Sequence, residues 1–189
     1  MSEKRGYFRR FVQRLMCHTR FFFVDETCVN TKMTRLYGRA KGGERLVMSA
    51  PHGHWKSSTF LAGLGLDGIV APTVFDGPCN EACFVAWIEQ QLAPALRPGD
   101  VVLMDNLASH KRPAVEKAIR AAGANLMFTP PYSPDFNPIE KFFSILKAAL
   151  RAAEARTVAA VEAVILATIS ALTRTECENL FISCGYDSL

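Results

Sequence analysis

No stretch of this chain is apolar over the roughly 18 to 20 residues that a bilayer crossing requires. The longest apolar run, Val158 to Leu172, carries Glu162, Thr168 and Ser170 and fits an amphipathic helix better. The first twenty residues are basic but lack the apolar core and small-residue cleavage site of a signal peptide. A cytoplasmic protein with no membrane association is expected. The six cysteines include no C-x-x-C pair, and nothing near Cys79 and Cys83 supplies the other two ligands of a zinc site. They read as reduced thiols, chiefly small buried hydrophobes. There is no internal repeat and no low-complexity tract.

What is present is a chain of 189 residues, 49% hydrophobic, long enough for one domain with a real core. The net charge of +4 permits nucleic-acid binding without demonstrating it. Residues 1 to 20 concentrate Lys4, Arg5, Arg9, Arg10, Arg14 and Arg20, with Phe8, Phe11, Val12 and Leu15 at helical spacing. A basic amphipathic helix, or the remnant of a linker, is expected there. Arg20 to Asp25 reads as a buried strand that ends on Asp25. Cys28 to Pro51 is polar and basic around a short strand-like Arg45-Leu-Val-Met-Ser, which reads as a hairpin insertion over about 28–56.

Two apolar stretches, Thr59 to Leu66 and Ile69 to Phe75, flank Asp67-Gly68, a dipeptide that favours a tight hairpin turn. A helix capped by Asn80 runs to about Leu92. A strand over Asp100 to Asp105, a helix from Pro113 to Ala122 and a strand over Asn125 to Thr129 form a βαβ unit with parallel strands. Helices follow over Ile139 to Ala153, Val158 to Leu172 after Thr157, and Glu176 to Ser183 after a capping box Thr175-x-x-Glu178. The order strand, insertion, two hairpin strands, helix, strand, helix, strand, helix points to an α/β, ribonuclease-H-like fold: a mixed sheet with helices on both faces.

Three acids stand in punctuated contexts: Asp25 in Phe-Phe-Phe-Val-Asp-Glu-Thr, Asp105 in Val-Val-Leu-Met-Asp-Asn, and Glu140 in Ser-Pro-Asp-Phe-Asn-Pro-Ile-Glu. Each has an ordinary structural role available. Asp25 and Asp105 could be strand-end turn residues, and Glu140, three residues past Asn137 with Pro138 between, could close a capping box. Glu26 and Asp135 compete for the same chemical role, although Asp135 lies in a proline-rich loop and is better placed to shape it. Two strands that end on acids, with a third acid at a helix start, can build a site for two divalent cations.

The wording of these motifs, with the 34 residues between Asp105 and Glu140, resembles the catalytic domain of the mariner-type DDE transposases. Within that group it is similar to the bacterial insertion-sequence branch with the same gap. The resemblance covers about residues 20 to 186. It implies metal-dependent cleavage and strand transfer of DNA at transposon ends, with Asp25, Asp105 and Glu140 as catalytic and metal-binding residues for two Mg²⁺ or Mn²⁺ ions. Carboxylates suit such hard cations. Asn106 and His110 match the motif as supports of phosphate or ligands, or as braces of the turn. Lys32, Arg35, Arg39, Lys41, Arg45, Lys56 and Lys111 are candidate nucleic-acid contacts, the first six on the insertion, which reads equally as a solvated hairpin. The loop His52-Gly-His54-Trp55 suits contact with DNA or a partner subunit. The resemblance further implies a homodimer. Members of the family carry helix-turn-helix modules ahead of the first strand, where this chain has about twenty residues, so a truncated copy, a split frame or a separately encoded helix-turn-helix partner is expected. The competing function is an idle transposase relic that binds DNA or a partner without cutting.

Overall fold

The computed structural model describes residues 2–49 and 51–186. Its central strand, β1 (Phe21–Asn30), opens with Phe21-Phe22-Phe23-Val24, bulky and β-favouring, and Phe21, Phe23 and Val24 are fully buried. On one side β1 pairs antiparallel with β2 (Ser57–Gly65), which returns through Asp67 into β3 (Gly68–Asp76). Gly68 takes a φ of 126°, open to glycine and strained for other residues. On the other side β1 pairs in parallel with β4 (Val101–Met104), and β4 with β5 (Asn125–Phe128). The sheet order is β3-β2-β1-β4-β5.

The helices are α1 (Ser2–Tyr7), followed through a π turn at Phe8–Val12 by α2 (Gln13–Leu15), then α3 (Glu81–Trp87), α4 (Pro113–Ala121), α5 (Pro138–Ala153), α6 (Val158–Ala171) and α7 (Arg174–Ile182). Strand residues alternate between faces. Phe21, Phe23 and Leu103 pack with Phe142 and Leu146 of α5 and Phe181 of α7. Val24, Val102 and Met104 pack on the opposite face with Trp87 of α3 and Ile119 of α4. Helices thus cover both faces of a mixed sheet, the ribonuclease-H-like arrangement. Among the described residues, no single helix is long and apolar enough to cross a membrane.

Four local expectations are corrected. β1 does not end at Asp25 but runs five residues further, because Asp25 to Asn30 pair with Ala62 to Ser57 of β2 after β4 has dropped away. No hairpin forms in the insertion: the described residues of 31–56 contain no strand, and Arg45 to Ser49 are exposed loop. The segment is anchored at its base instead, where Thr31 N–H donates to Lys56 O at 3.1 Å and Arg156 donates to Met33 O at 2.8 Å. The last capping box belongs to Thr173 and Glu176, whose carboxylate accepts from Thr173 N–H at 2.7 Å. Of the cysteines, only Cys177 and Cys184 are buried, while Cys17 and Cys28 are exposed.

The N-terminal helical segment docks on the loop ahead of α5. Phe8 and Val12 are buried, and the Phe8 ring stacks on Phe136 at 5.3 Å. Phe11 stays exposed, and the Leu15 side chain lies outside the described residues. Arg5 donates to Ser133 Oγ at 2.7 Å and to both Asp135 oxygens at 3.0 and 2.6 Å. Burying an apolar side chain of this size contributes about 1.5–3 kcal/mol, against about 0–1 kcal/mol for an exposed ion pair. The apolar pair therefore holds the segment, and Arg5 sets its orientation. The hydrogen bonds from Arg5 hold the Asp135 carboxyl below the usual range. A depressed carboxyl contributes stability that is present above its unfolded pKa, about 3.9, and is lost as the pH falls through its folded value. Arg5→Ala should lower the urea midpoint slightly at pH 7 and flatten that acid limb, so that variant and wild type converge as the pH falls below about 4.

Candidate active site

The parallel register places the acids. Phe21 faces Val101 and Phe23 faces Leu103, and the same offset of 80 carries Asp25 to Asp105. With a two-residue period, Asp25 and Asp105 continue the face of Phe21, Phe23, Val101 and Leu103. That face is covered by α5, whose first turn bears Glu140. The end of the β1–β4 ladder and one helix start thus bring all three sequence candidates to the same pair of cavities.

Two cavities meet there. One of about 350 Å³ is lined by Asp105, Asn106, Thr129, Tyr132, Asn137 and Glu140 among others. A second of about 250 Å³ is lined by Asp25, Glu26, Glu140 and Lys147 among others. Glu140 borders both. Burial raises the Asp25 carboxyl to about 7, and the charges of Glu26, Asp105 and Glu140 push it the same way, against the Glu26 N–H that donates to Oδ1 at 2.8 Å. Burial also raises Glu140, offset in part by Asn137 and reinforced by Asp105. For Asp105, burial is outweighed by His110, by the Leu107 N–H at 2.9 Å and by Lys111, so its carboxyl stays below the ordinary range.

Asn137 is the residue that sequence reasoning misplaced. It stands at the start of α5 without capping it, and its side-chain N–H₂ donates instead to Asp25 Oδ2 at 3.0 Å. The capping-box reading of Asn137 and Glu140 is thereby set aside. Its buried Oδ1 has no hydrogen-bond partner among the described residues. The sequence did hold a signal: a short amide immediately before Pro138, three residues from Glu140.

His110 is fully buried, with its ring stacked on Phe84 at 4.6 Å. Nδ1 lies 2.7 Å from Asp105 Oδ1, an ion-pair contact too bent for a good hydrogen bond, and Nε2 lies 3.2 Å from Glu26 Oε2. Burial would lower its pKa, but the two carboxylates reverse this and push it up to about 9. Glu26 is therefore a brace for His110, and Asn106 braces the next loop by donating to Thr129 O. Asp135 faces Arg5 instead of the acids. Lys111 lies over the Phe128 ring at 5.8 Å and Lys32 over Trp55 at 4.3 Å. Arg35, Arg39, Lys41, Arg45 and Lys56 are exposed on the loop, as are His52 and His54.

Three carboxylates and an orphaned amide oxygen are the hard oxygen donors that Mg²⁺ and Mn²⁺ select, and the two carboxyls raised chiefly by burial, and further by neighbouring acids, are ones whose charged form a cation would favour. The donor chemistry fits a divalent metal. The spacing is open: among the described residues, no three His, Cys, Asp or Glu side chains stand close enough together to hold an ion as they are. A group raised in this way adds stability below its unfolded pKa, about 3.9, that is lost as the pH rises through about 7. Asp25→Asn should therefore raise the unfolding free energy of metal-free protein at pH 8, read from urea titration, by on the order of 1–3 kcal/mol, with no gain at pH 4.

The sequence model of the family described as DDE superfamily endonuclease matches residues 20–162, a span that contains all three acids. No curated protein matches the chain. Among solved structures, the Mos1 strand transfer complex superposes with a TM-score of 0.78 at 18% identity, over 97% of this chain and 56% of that one. The Mos1 mariner paired-end complex with Mg gives 0.73 at 17% identity, over 99% and 61%. The isolated catalytic domain of Mos1 mariner transposase gives 0.63 at 15% identity, over 97% and 91%. The chain thus spans little more than half of the Mos1 chains in those two complexes and nearly all of the isolated domain. At these identities the likeness establishes a shared fold.

Proposed function

Because the chain belongs to the DDE superfamily of endonucleases, we propose that it is the catalytic domain of a transposase that cuts DNA at transposon ends and joins the freed 3′-hydroxyl to target DNA. The observation that carries this reading is the convergence of Asp25, Asp105 and Glu140 beyond the last rung of the β1–β4 ladder, two from neighbouring parallel strands in register and one from a helix start. Asp25 would be shared between two Mg²⁺ or Mn²⁺ ions, with Asp105 completing one set of ligands and Glu140 the other. When bound, such ions stabilise charge on a phosphate and supply a nucleophilic oxygen at neutral pH. The chain's own residues do the positioning. Asn137 orients Asp25, His110 and the Leu107 N–H hold Asp105 by Oδ1, and Glu26 fixes His110 from behind.

Other parts of the reading follow from it. The Mos1 structures include paired-end complexes and complexes with Mg or Mn, which supports DNA as partner and a divalent ion as cofactor here. The 34-residue gap between Asp105 and Glu140 supports the bacterial insertion-sequence branch. Lys32, Arg35, Arg39, Lys41, Arg45, Lys56 and Lys111 are assigned to phosphate contacts, and the exposed loop to the interface of a homodimer. Residues 1–20 would serve as a basic helix beside a catalytic domain over 21–189, acting in the cytoplasm. The second reading, an idle relic that binds DNA or a partner, is favoured by the open spacing of the acids.

A nicking assay on DNA with Mg²⁺ or Mn²⁺ separates the two. The wild-type chain is expected to nick, and Asp25→Ala, Asp105→Ala and Glu140→Ala each to reduce nicking by about 10²–10³-fold, the loss of several kcal/mol of charge stabilisation, with DNA affinity retained. Binding without nicking by the wild type would favour the relic. Undiminished nicking by Asp105→Ala would overturn the site.

A further inference from the structure

α6 is apolar nearly all round, the composition of a helix buried on every side, yet it buries little of itself. Of its 14 residues only Glu162 is charged, and only Val161 and Ile165 are buried. With the C-terminal half of α5 it forms an open groove of about 650 Å³. Phe142, Ile145, Val164, Ala167 and Ala171 line it, and Glu176 in the first turn of α7 is its one charged residue among those described. A second uncovered apolar surface lies on the N-terminal segment. Residues 2–15 are helical throughout and as long as α6, about 21 Å. The segment docks by Phe8 and Val12, and its outer side shows Tyr7, 64% exposed, and Phe11, 42% exposed, with ring centroids 4.6 Å apart. Lys4, Arg10 and Arg14 flank them, all exposed.

We propose that the groove between α5 and α6 receives the N-terminal helical segment of a second copy of this chain, in a reciprocal two-fold dimer. An i, i+4 pair of apolar side chains laid in an apolar groove is a common form of helix recognition. Charge agrees with it, since the stripe is flanked by cations and the groove by Glu176 and Glu162. The same charges oppose groove on groove and stripe on stripe. Position agrees as well. Gln13 of the segment donates at 2.6 Å to Cys184 O, just past the end of α7, while Glu176 lines the groove at its start. The two surfaces therefore lie about 14 Å apart, the length of α7, on the side of the sheet that α5 covers. The contacts of Phe8 with Phe136 and of Arg5 with Asp135 hold the segment away from its own groove. A two-fold axis beside the middle of α7 carries it to the groove of the other copy. A helix about 21 Å long and 10–12 Å across covers on the order of 400 Å² of a groove it lies in. One such contact falls short of the ~800 Å² per partner of a standard interface, and the reciprocal pair reaches it. The contact uses neither the acids nor the exposed loop of 31–56, so it stands apart from the nuclease reading and from the interface assigned to that loop.

The test is sedimentation of the full chain, free of DNA and metal, over a range of concentrations. Phe11→Glu brings a carboxylate to the acidic groove, and Ala167→Lys brings a cation to the basic stripe. Each alone is expected to raise the dimer dissociation constant about tenfold per contact, hence about a hundredfold for the reciprocal pair. Mixed in equal amounts, the two variants keep one native contact and place opposite charges across the other. The mixed dimer should then form within about tenfold of wild type. Rescue on mixing is a result that general damage to either variant does not give. Phe11 and Ala167 are both exposed, so thermal midpoints should match wild type. Where one falls, Tyr7→Glu and Ala171→Lys repeat the experiment on the same two surfaces. A wild type that stays monomeric at about 100 µM overturns the proposal, as does a dimer that neither substitution weakens. If that dimer dissociates with Val47→Glu, the loop holds it instead. Loss of DNA affinity in Phe11→Glu with the dimer intact also overturns it, in favour of nucleic acid on the stripe. Nicking with Mg²⁺ is scored separately. A dimer rescued by mixing that never nicks keeps the contact and removes the nuclease, and a monomeric wild type that nicks does the reverse.

Discussion

Three rungs of parallel ladder between β1 and β4, from Phe21 with Val101 to Phe23 with Leu103, govern the rest of this molecule. β1 is the strand that joins the antiparallel and parallel halves of the sheet. Where β4 stops, β1 continues on β2 alone, and the gap that opens beside it is where Asp25 and Asp105 sit, two residues beyond the last rung on each strand. A slip of one residue in this ladder would turn Asp25 to the face of Val24, against α3 and Trp87 instead of α5. The large aromatics of the first face prevent the slip. Phe21 and Phe23 interlock with Tyr186, Phe181 and Phe142 in a cluster that has no room on the other side of the sheet.

With register settled, electrostatics at the strand ends are settled as well. Asp25, Glu26, Asp105 and Glu140 crowd the end of the β1–β4 ladder, and the buried His110 lies between Glu26 and Asp105. It compensates Asp105, whose carboxyl stays low, and leaves Asp25 and Glu140 raised. The asymmetry follows from geometry: His110 approaches from the Phe84 side of the sheet, and Asp25 and Glu140 lie on the α5 side. A site with one acid neutralised from within and two left in need of a cation is costly to the bare fold and suited to binding divalent metal.

The strands that carry the acids, the Asp67-Gly68 turn and the helix that begins at Pro138 were legible because each is a local pattern: an apolar run, a turn dipeptide, a proline at a first helical position. The same locality explains the errors. The apolar run of β1 stops at Val24, but the strand does not, since its second half is held by β2, a partner distant in sequence that pairs Asp25 with Ala62 and Asn30 with Ser57. Arg45 to Ser49 holds a short apolar run like that of a strand and pairs with no strand among the described residues, so it stays loop. Thr173 and Thr175 both offer a hydroxyl three residues before a glutamate, and helix propensity alone does not choose between them. Asn137 and Glu26 are local ambiguities of another kind. An asparagine before a helix is ordinarily a cap, and only the approach of Asp25 from 112 residues away diverts its amide.

The proline-rich loop between β5 and α5 is where these separate constraints join. Its last residue orients Asp25, the helix it launches carries Glu140, and its exposed tyrosine borders the same cavity. The loop has no sheet to lean on, and what fixes it comes from both ends of the chain. From the N-terminal segment, Phe8 stacks on Phe136 while the Arg5 guanidinium lies 4.6 Å over the same ring. From the C-terminal side, Tyr186 holds the Phe136 carbonyl, and Gln13 ties the two together by donating to Cys184 O at 2.6 Å. Phe136, buried at the meeting point, transmits the position of α1 to the residue beside it, Asn137, and so to Asp25. A displacement of the N-terminal segment therefore cannot leave the acids unmoved unless the Phe8 stack and the Arg5 contacts break first. The apolar stack is the stronger of the two, so the coupling survives high salt, which weakens the exposed Arg5 pair and leaves buried aromatic contact in place.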